Sequence, residues 1–283
     1  MHPVDEALIQ RAAEAIAQAN ALVVAAGAGM GVDSGLPDFR GNQGFWQAYP
    51  PYQKLGLDFI ALANPAWFRR DPAVAWGFYG HRRNLYRATQ SHAGFHILQA
   101  WAQRMEYGAA VFTSNVDGHF QRAGFAAERV VEIHGAVDFN QCTQHCGVGI
   151  YPAEAEPVAI DEATMRAMEP LPKCPQCGAL ARPNILMFGD YDWAETRTAE
   201  QTARFENWLS GMKSMRLVVV ECGAGTAIPT VRLFSERLVR SAGGTLIRLN
   251  VREPEVPDGQ IGLALGALAG VQAIDQRLRG GQS

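Results

Sequence analysis

Ala21-Leu22-Val23-Val24-Ala25-Ala26 runs directly into Gly27-Ala28-Gly29-Met30-Gly31-Val32-Asp33-Ser34-Gly35-Leu36-Pro37-Asp38-Phe39-Arg40-Gly41. The first six residues are apolar and include a branched pair, the pattern of a strand buried on both faces of a parallel sheet. A glycine turn leaves its end. Gly27, Gly29 and Gly31 free the backbone to approach a pyrophosphate, and amides at a following helix start offer hydrogen bonds to anionic oxygens. On the glycines alone, a nucleotide-binding turn and an ordinary strand-to-helix turn fit equally. Two features depart from a dehydrogenase fingerprint: its last glycine is missing, and the segment after Arg40 is aromatic and proline-rich instead of a strand ending in a ribose-binding acid. Gly35 to Gly41 surrounds a proline, an acid, a ring and a guanidinium with glycines, which reads as a mobile loop able to close over a ligand.

The 283 residues suffice for one large domain, or one domain with a smaller insert. Nearly half are apolar, and the net charge of −3 argues against a nucleic-acid surface or a polybasic membrane patch. Residues 5–16 carry acids within an amphipathic pattern, unlike a secretory or transit peptide, and no stretch is long and apolar enough to span a bilayer. The expected setting is cytoplasmic. In a reducing compartment the five cysteines, two pairs and a single, point to metal before disulfide. Cys142-Thr143-Gln144-His145-Cys146 and Cys174-Pro175-Gln176-Cys177 are at ligand spacing, so Cys142, Cys146, Cys174 and Cys177 are read as a closed, structural zinc site.

Four further stretches end apolar strands in polar or glycine-rich residues. Ala109 to Thr113 leads into Ser114-Asn115-Val116-Asp117-Gly118-His119-Phe120, Val130 to Ile133 into His134-Gly135, and Arg216 to Cys222 into a second glycine turn, Gly223-Ala224-Gly225-Thr226. Thr245 to Leu249 ends in Asn250. Polar residues at strand ends, with apolar strand bodies, are the pattern of a doubly wound sheet that binds its ligand along the carboxyl edge. An Asx turn is the bland reading of Asn115 and Asp117. Residues 45–88 are dense in aromatic rings and carry helix starts at Asn64-Pro65 and Asp71-Pro72, which suggests a small helical lobe. Most of those rings are read as core. Tyr79 and Arg82, three apart, share a helix face, where a guanidinium could fork onto a carboxylate and a phenol could add a second donor.

Gly27 to Gly41, Asn115 to Asp117, His134-Gly135, the cysteine pairs and Arg182-Pro183-Asn184-Ile185-Leu186-Met187-Phe188-Gly189-Asp190, in this order, resemble the motifs of the sirtuins, NAD-dependent protein-lysine deacylases. The resemblance spans about residues 21–278. It implies an α/β fold: a doubly wound parallel Rossmann-like sheet (1–44, 87–135 and 186–283) with a small helical lobe (45–86) and a small zinc-binding lobe (136–185), together one catalytic domain. It implies NAD contacts at Gly27, Ala28, Gly29, Asp38, Phe39, Arg40, Ser114, Asn115, Val116, Asp117, Gly223, Gly225, Thr226 and Asn250. Asn115 would hold the ribose network, Asp117 the nicotinamide carboxamide, and Phe39 would shield the reacting centre. His134 would be the base that activates a ribose hydroxyl, a task suited to imidazole. Ile185, Leu186, Phe188 and Gly189 would receive the substrate peptide as an added strand, and Tyr79 with Arg82 would line the acyl pocket and pair with an acidic acyl group such as succinyl. Products would be free lysine, nicotinamide and O-acyl-ADP-ribose.

This chain departs from the family pattern at Ala26 and Gly31, where Thr and Ser are usual, at Ser114, where Gln is usual, and at His119-Phe120, where Leu-His is usual. These changes leave open ADP-ribosyl transfer to protein or NAD hydrolysis, and more distantly an NAD-sensing binding module. The expected partner is an acyl-lysine protein or peptide, with no nucleic acid and no membrane.

Overall fold

The computed structural model describes residues 3–37, 41–212 and 214–280. The expected NAD contacts Asp38, Phe39 and Arg40 lie outside the described residues. In chain order the elements are α1 (Pro3–Gln18), β1 (Ala21–Ala26), α2 (Gly41–Ala48), α3 (Pro50–Lys54), α4 (Phe59–Leu62), α5 (Trp67–Arg70), α6 (Pro72–Ala88), α7 (Ala93–Ala102), β2 (Ala109–Thr113) and α8 (His119–Arg122). They continue with β3 (Val130–Glu132), β4 (Gly135–Cys142), β5 (Ile150–Pro152), β6 (Ile160–Asp161), β7 (Arg166–Ala167), β8 (Ala181–Ile185), α9 (Thr196–Ser210), β9 (Leu217–Cys222), α10 (Thr230–Ala242), β10 (Thr245–Leu249), β11 (Ile261–Leu263) and α11 (Ala267–Gly280).

Six strands form the main sheet in the order β11-β10-β9-β1-β2-β3, every neighbouring pair parallel. All six residues of β1 are fully buried. Their side chains alternate between two cores, as the strand period of two requires: Leu22, Val24 and Ala26 meet α1, α7 and α11, whereas Ala21, Val23 and Ala25 meet α9 and α10. Helices on both faces make this the expected doubly wound sheet. Sequence order reverses between β1 and β9, and an open parallel sheet offers its ligand crevice at the carboxyl ends of such a pair. Both glycine turns leave the sheet there.

The edge strand β3 is covered by α9, a helix the sequence reading passed over. Its docking is polar: Gln201 Oε1 accepts the Glu132 backbone N–H at 3.1 Å, Thr198 Oγ1 donates to the Glu132 carbonyl at 3.1 Å, and Arg197 pairs with the Glu132 carboxylate. These bonds occupy backbone groups that an uncovered edge would leave open.

The helices α2 to α6 and the strands β4, β7 and β8 share a single second core, including Phe45, Trp76, Phe78, Tyr79, Val137, Met165, Ala167 and Ile185. A three-stranded antiparallel sheet, β5-β4-β8, forms its other wall. Trp76 Nε1 donates to the Ala181 carbonyl at 2.9 Å, and buried Arg83 donates to the Val137 carbonyl and to Asn140 Oδ1 at 2.8 and 2.6 Å. The helical residues and the residues around the cysteines are therefore one packed body. Among the described residues no helix is long and apolar enough to cross a membrane.

The contact of α6 with β7 depends on Gly77, where an added Cβ would lie 2.0 Å from the Met165 carbonyl oxygen and 2.9 Å from Arg166 Cα. Backbone cannot yield as a side-chain tip can. Gly77→Ala is expected to destabilise the protein by about 1–3 kcal/mol or more, read as a lower urea midpoint, whereas an unchanged midpoint would contradict this packing.

Candidate active site

At the carboxyl ends of β1 and β9 the two turns touch backbone to backbone. Gly27 N–H donates to the Cys222 carbonyl and Gly29 N–H to the Gly223 carbonyl, each at 3.0 Å. A Cβ on Gly27 would sit 2.7 Å from Ala224 Cα, and one on Gly223, whose φ is +62°, would sit 2.4 Å from Gly29. Only glycine permits this approach. The predicted contacts Gly27, Ala28, Gly29, Gly223, Gly225 and Thr226 thus form one rim.

Next to it, β2 ends in Ser114, Asn115, Val116 and Asp117. Asn115 Nδ2 donates to the Gly27 carbonyl at 3.0 Å, and its backbone N–H donates to Thr113 Oγ1 at 3.0 Å, which joins this strand end to the first turn. Asp117 is buried, and its Oδ1 accepts the His119 backbone N–H at 2.8 Å. The Asx turn considered for Asp117 is present, and it fixes the carboxylate in the turn that follows β2.

His134 follows β3, half-buried, and the preceding Ile133 N–H donates to the Thr113 carbonyl at 2.9 Å, which sets His134 beside the end of β2. Burial pushes its pKa down. The net result is an imidazole that is neutral at neutral pH. The adjoining Gly135, φ +76°, lets β8 pass close: a Cβ there would lie 2.0 Å from the Asn184 carbonyl oxygen.

The predicted substrate segment leaves β8 tied on two sides. Leu186 N–H donates to the His134 carbonyl at 3.0 Å, and Phe188 N–H donates to the Ala63 carbonyl at 2.9 Å. Phe188 also meets Phe59 edge-on at 6.0 Å. A buried ion pair between Arg182 and Asp190 closes the segment's ends, and Arg182 also donates to the Ile185 carbonyl at 2.9 Å. Ile185 is buried, while Leu186 and Gly189 are exposed.

Tyr79 and Arg82 share one face of α6, as their spacing predicts, but both are buried. The Arg82 guanidinium lies 5.1 to 5.9 Å from the rings of Phe78, Tyr86, Tyr79 and Phe59, and its Nε donates to Tyr86 Oη at 2.8 Å. Burial pushes the Tyr79 phenol well above its ordinary pKa, so it is a donor at every accessible pH.

Asn250 and Thr226 reach the rim differently from their sequence reading. Asn250 is buried with its amide spent on the fold: Nδ2 donates to the Ala224 carbonyl at 2.8 Å, and Oδ1 accepts the N–H groups of Arg252 and Glu253 at 3.1 Å. Thr226 gives both its N–H and its hydroxyl to the Glu253 carboxylate. Sequence reasoning missed Glu253, and also Arg122, which donates to the carbonyls of Asp117 and Tyr86. Neither lies in a motif. The available signal for Arg122 was its position one helical turn after Gly118.

The four paired cysteines converge. Cys142 and Cys177 Sγ are 3.6 Å apart, Cys146 and Cys174 Sγ are 3.5 Å apart, and all four lie within 4.8 Å of one another. A tetrahedral Zn–S bond of about 2.3 Å places sulfurs about 3.8 Å apart. The donor set fits zinc with no position left for substrate. At the rim, the side-chain-free glycine turns and the polar groups beside them likewise suit a dinucleotide.

Parallel sheet, glycine crevice, buried acid, rim imidazole and thiolate cluster define a dinucleotide-binding α/β protein with a structural metal lobe. The sequence profile of the Sir2 family matches residues 27–209, and the chain belongs to that family. An NAD-dependent protein deacylase of Pyrococcus furiosus is 30% identical over 237 residues, 83% of this chain and 84% of that protein. NAD-dependent protein deacylase 2 of Pyrobaculum aerophilum is 30% identical over 275 residues, 94% of this chain and 96% of that protein. A solved Sir2 homologue–NAD complex superposes with a TM-score of 0.69 at 27% identity, covering 97% of this chain and 95% of that one.

The metal assignment has a direct check. Purified protein is expected to carry about one zinc per chain, and Cys174→Ser to lose it together with several degrees of melting temperature. Metal-free protein of unchanged melting temperature would contradict the assignment.

Proposed function

We propose that this chain is an NAD-dependent protein-lysine deacylase in which residues 1–283 act as one catalytic domain, with the Rossmann-like, helical and zinc parts divided as the sequence suggests. NAD is the co-substrate; nicotinamide and O-acyl-ADP-ribose are the products. The observation that carries the reading is the convergence of three segments: Asn115 bonds to Gly27, Ile133 bonds to Thr113 so that His134 follows beside that strand end, and the His134 carbonyl accepts from Leu186. Cytoplasmic conditions would keep the four zinc thiolates reduced.

In this reading the glycine turns take the pyrophosphate, with backbone in place of side chains. Asp117, fixed by the His119 N–H, accepts from the nicotinamide carboxamide and holds that ring for departure. The substrate backbone lies along Leu186 to Gly189, with Phe188 as a wall of the acyl-lysine channel. His134 removes a proton from a ribose hydroxyl once nicotinamide has left. Tyr79 and Arg82 line the far end of that channel, where a carboxylated acyl group would find a guanidinium in aromatic surroundings.

His134→Ala is expected to lower deacylation of an acetyl-lysine peptide by at least about a hundredfold with the melting temperature retained; undiminished turnover would refute its role as base. Nicotinamide release should require the acyl peptide, whereas release from NAD alone would indicate a hydrolase. A base must be deprotonated to act. Because burial lowers its pKa, the acid limb of kcat/KM should fall below about pH 6.5, and a limb midpoint above 7 would contradict the assignment.

A further inference from the structure

Asp117 is the first residue of a turn whose orientation depends on Gly118, φ +71°. Glycine populates left- and right-handed backbone about equally, so the Asp117–Gly118 peptide has no intrinsic preference for the orientation observed. Two outside contacts fix it. The His119 N–H holds the carboxylate at 2.8 Å, and the Arg122 guanidinium holds the Asp117 carbonyl.

Arg122 is anchored independently of that contact. The same nitrogen donates to the Tyr86 carbonyl at 3.0 Å, in the last turn of α6, while Nη1 approaches Asp138 Oδ2 on β4 at 3.4 Å. It also lies over Gly118, where an added Cβ would be 3.0 Å from Nη1. A planar fork holds donors on separate nitrogens in a fixed geometry that spans two carbonyls and a carboxylate, whereas an ammonium offers its donors from a single atom on a flexible stem. The side chain is one-third exposed, and Asp138 keeps a second partner, Arg87 Nε at 2.7 Å. Removing Arg122 therefore strands no buried charge.

We propose that Arg122 is a positioning residue for NAD: by tying the Asp117 carbonyl to α6 and β4 it selects the peptide orientation that presents the Asp117 carboxylate to the nicotinamide. This rests on the reading of Asp117 given above. Arg122 itself touches neither NAD nor the acyl group. Its effect is expected at the nicotinamide end of the dinucleotide, because in the same reading the adenosine end lies toward the turns after β9 and β10, on the other side of β1 from β2.

The test compares NAD with ADP-ribose, which lacks nicotinamide, by calorimetry on the full chain without acyl peptide, alongside steady-state kinetics. For Arg122→Met, NAD affinity is expected to fall about tenfold and KM for NAD to rise correspondingly. ADP-ribose affinity and KM for the acyl peptide should stay within about twofold. Arg122→Lys, which keeps one charged donor, should recover part of the loss, and Asp138→Asn, which removes only the weakest anchor, should lose less than Arg122→Met. Equal loss of NAD and ADP-ribose affinity, no loss of either, or losses in all three variants that track a falling melting temperature would overturn the proposal. If the unsubstituted chain binds both ligands but does not deacylate, the deacylase reading fails while the comparison still decides the role of Arg122.

Discussion

The structure depends on the contact between two turns. At the ends of β1 and β9 the chain reverses twice at adjacent positions, and glycines 27, 29 and 223 let the backbones bond at 3.0 Å with no side chain between them. The register of β1 against β9, Ala26 opposite Cys222, brings the turns level. A side chain at Gly27 or Gly223 would push the turns apart and fill the crevice. The same feature that closes the sheet top thus leaves a side-chain-free surface for an anionic ligand.

The remaining site elements are fastened to this contact in sequence. Asn115 bonds to Gly27, the Ile133 N–H to the Thr113 carbonyl, and the His134 carbonyl to Leu186. The 186–188 segment then bonds to Ala63 in the helical region, which shares its core with β4 and β8. The rim, His134 and this segment are therefore positioned by consecutive hydrogen bonds. The buried Arg182–Asp190 pair gives this segment its shape; such a pair contributes little net stability, yet it is costly to break by removing one partner. Its value lies in specifying one loop conformation.

Much of this was legible beforehand because it rests on residue types with few alternatives. An apolar run before glycines, polar residues at strand ends and cysteines at ligand spacing each point to one placement. What escaped notice uses common residues in long-range roles. The first half of helix α9 buries the polar residues Thr198 and Gln201 and only its second half buries an apolar one, Phe205, so the apolar stripe is short. Arg122 reads locally as a solvated helix residue, and its partners lie on α6 and β4. The Asn250 amide organises the 250–253 turn, a use that composition does not reveal. The core that the helical and zinc lobes share joins segments far apart in the chain and so has no local signature.

The central claim is that these strand ends meet at one dinucleotide site, and a crystal structure with NAD bound tests it most directly. The account predicts the pyrophosphate against Gly27 to Gly29, the nicotinamide carboxamide against Asp117, and the His134 ring within hydrogen-bond reach of a ribose hydroxyl. NAD bound elsewhere, or a ribose beyond the reach of His134, would contradict it.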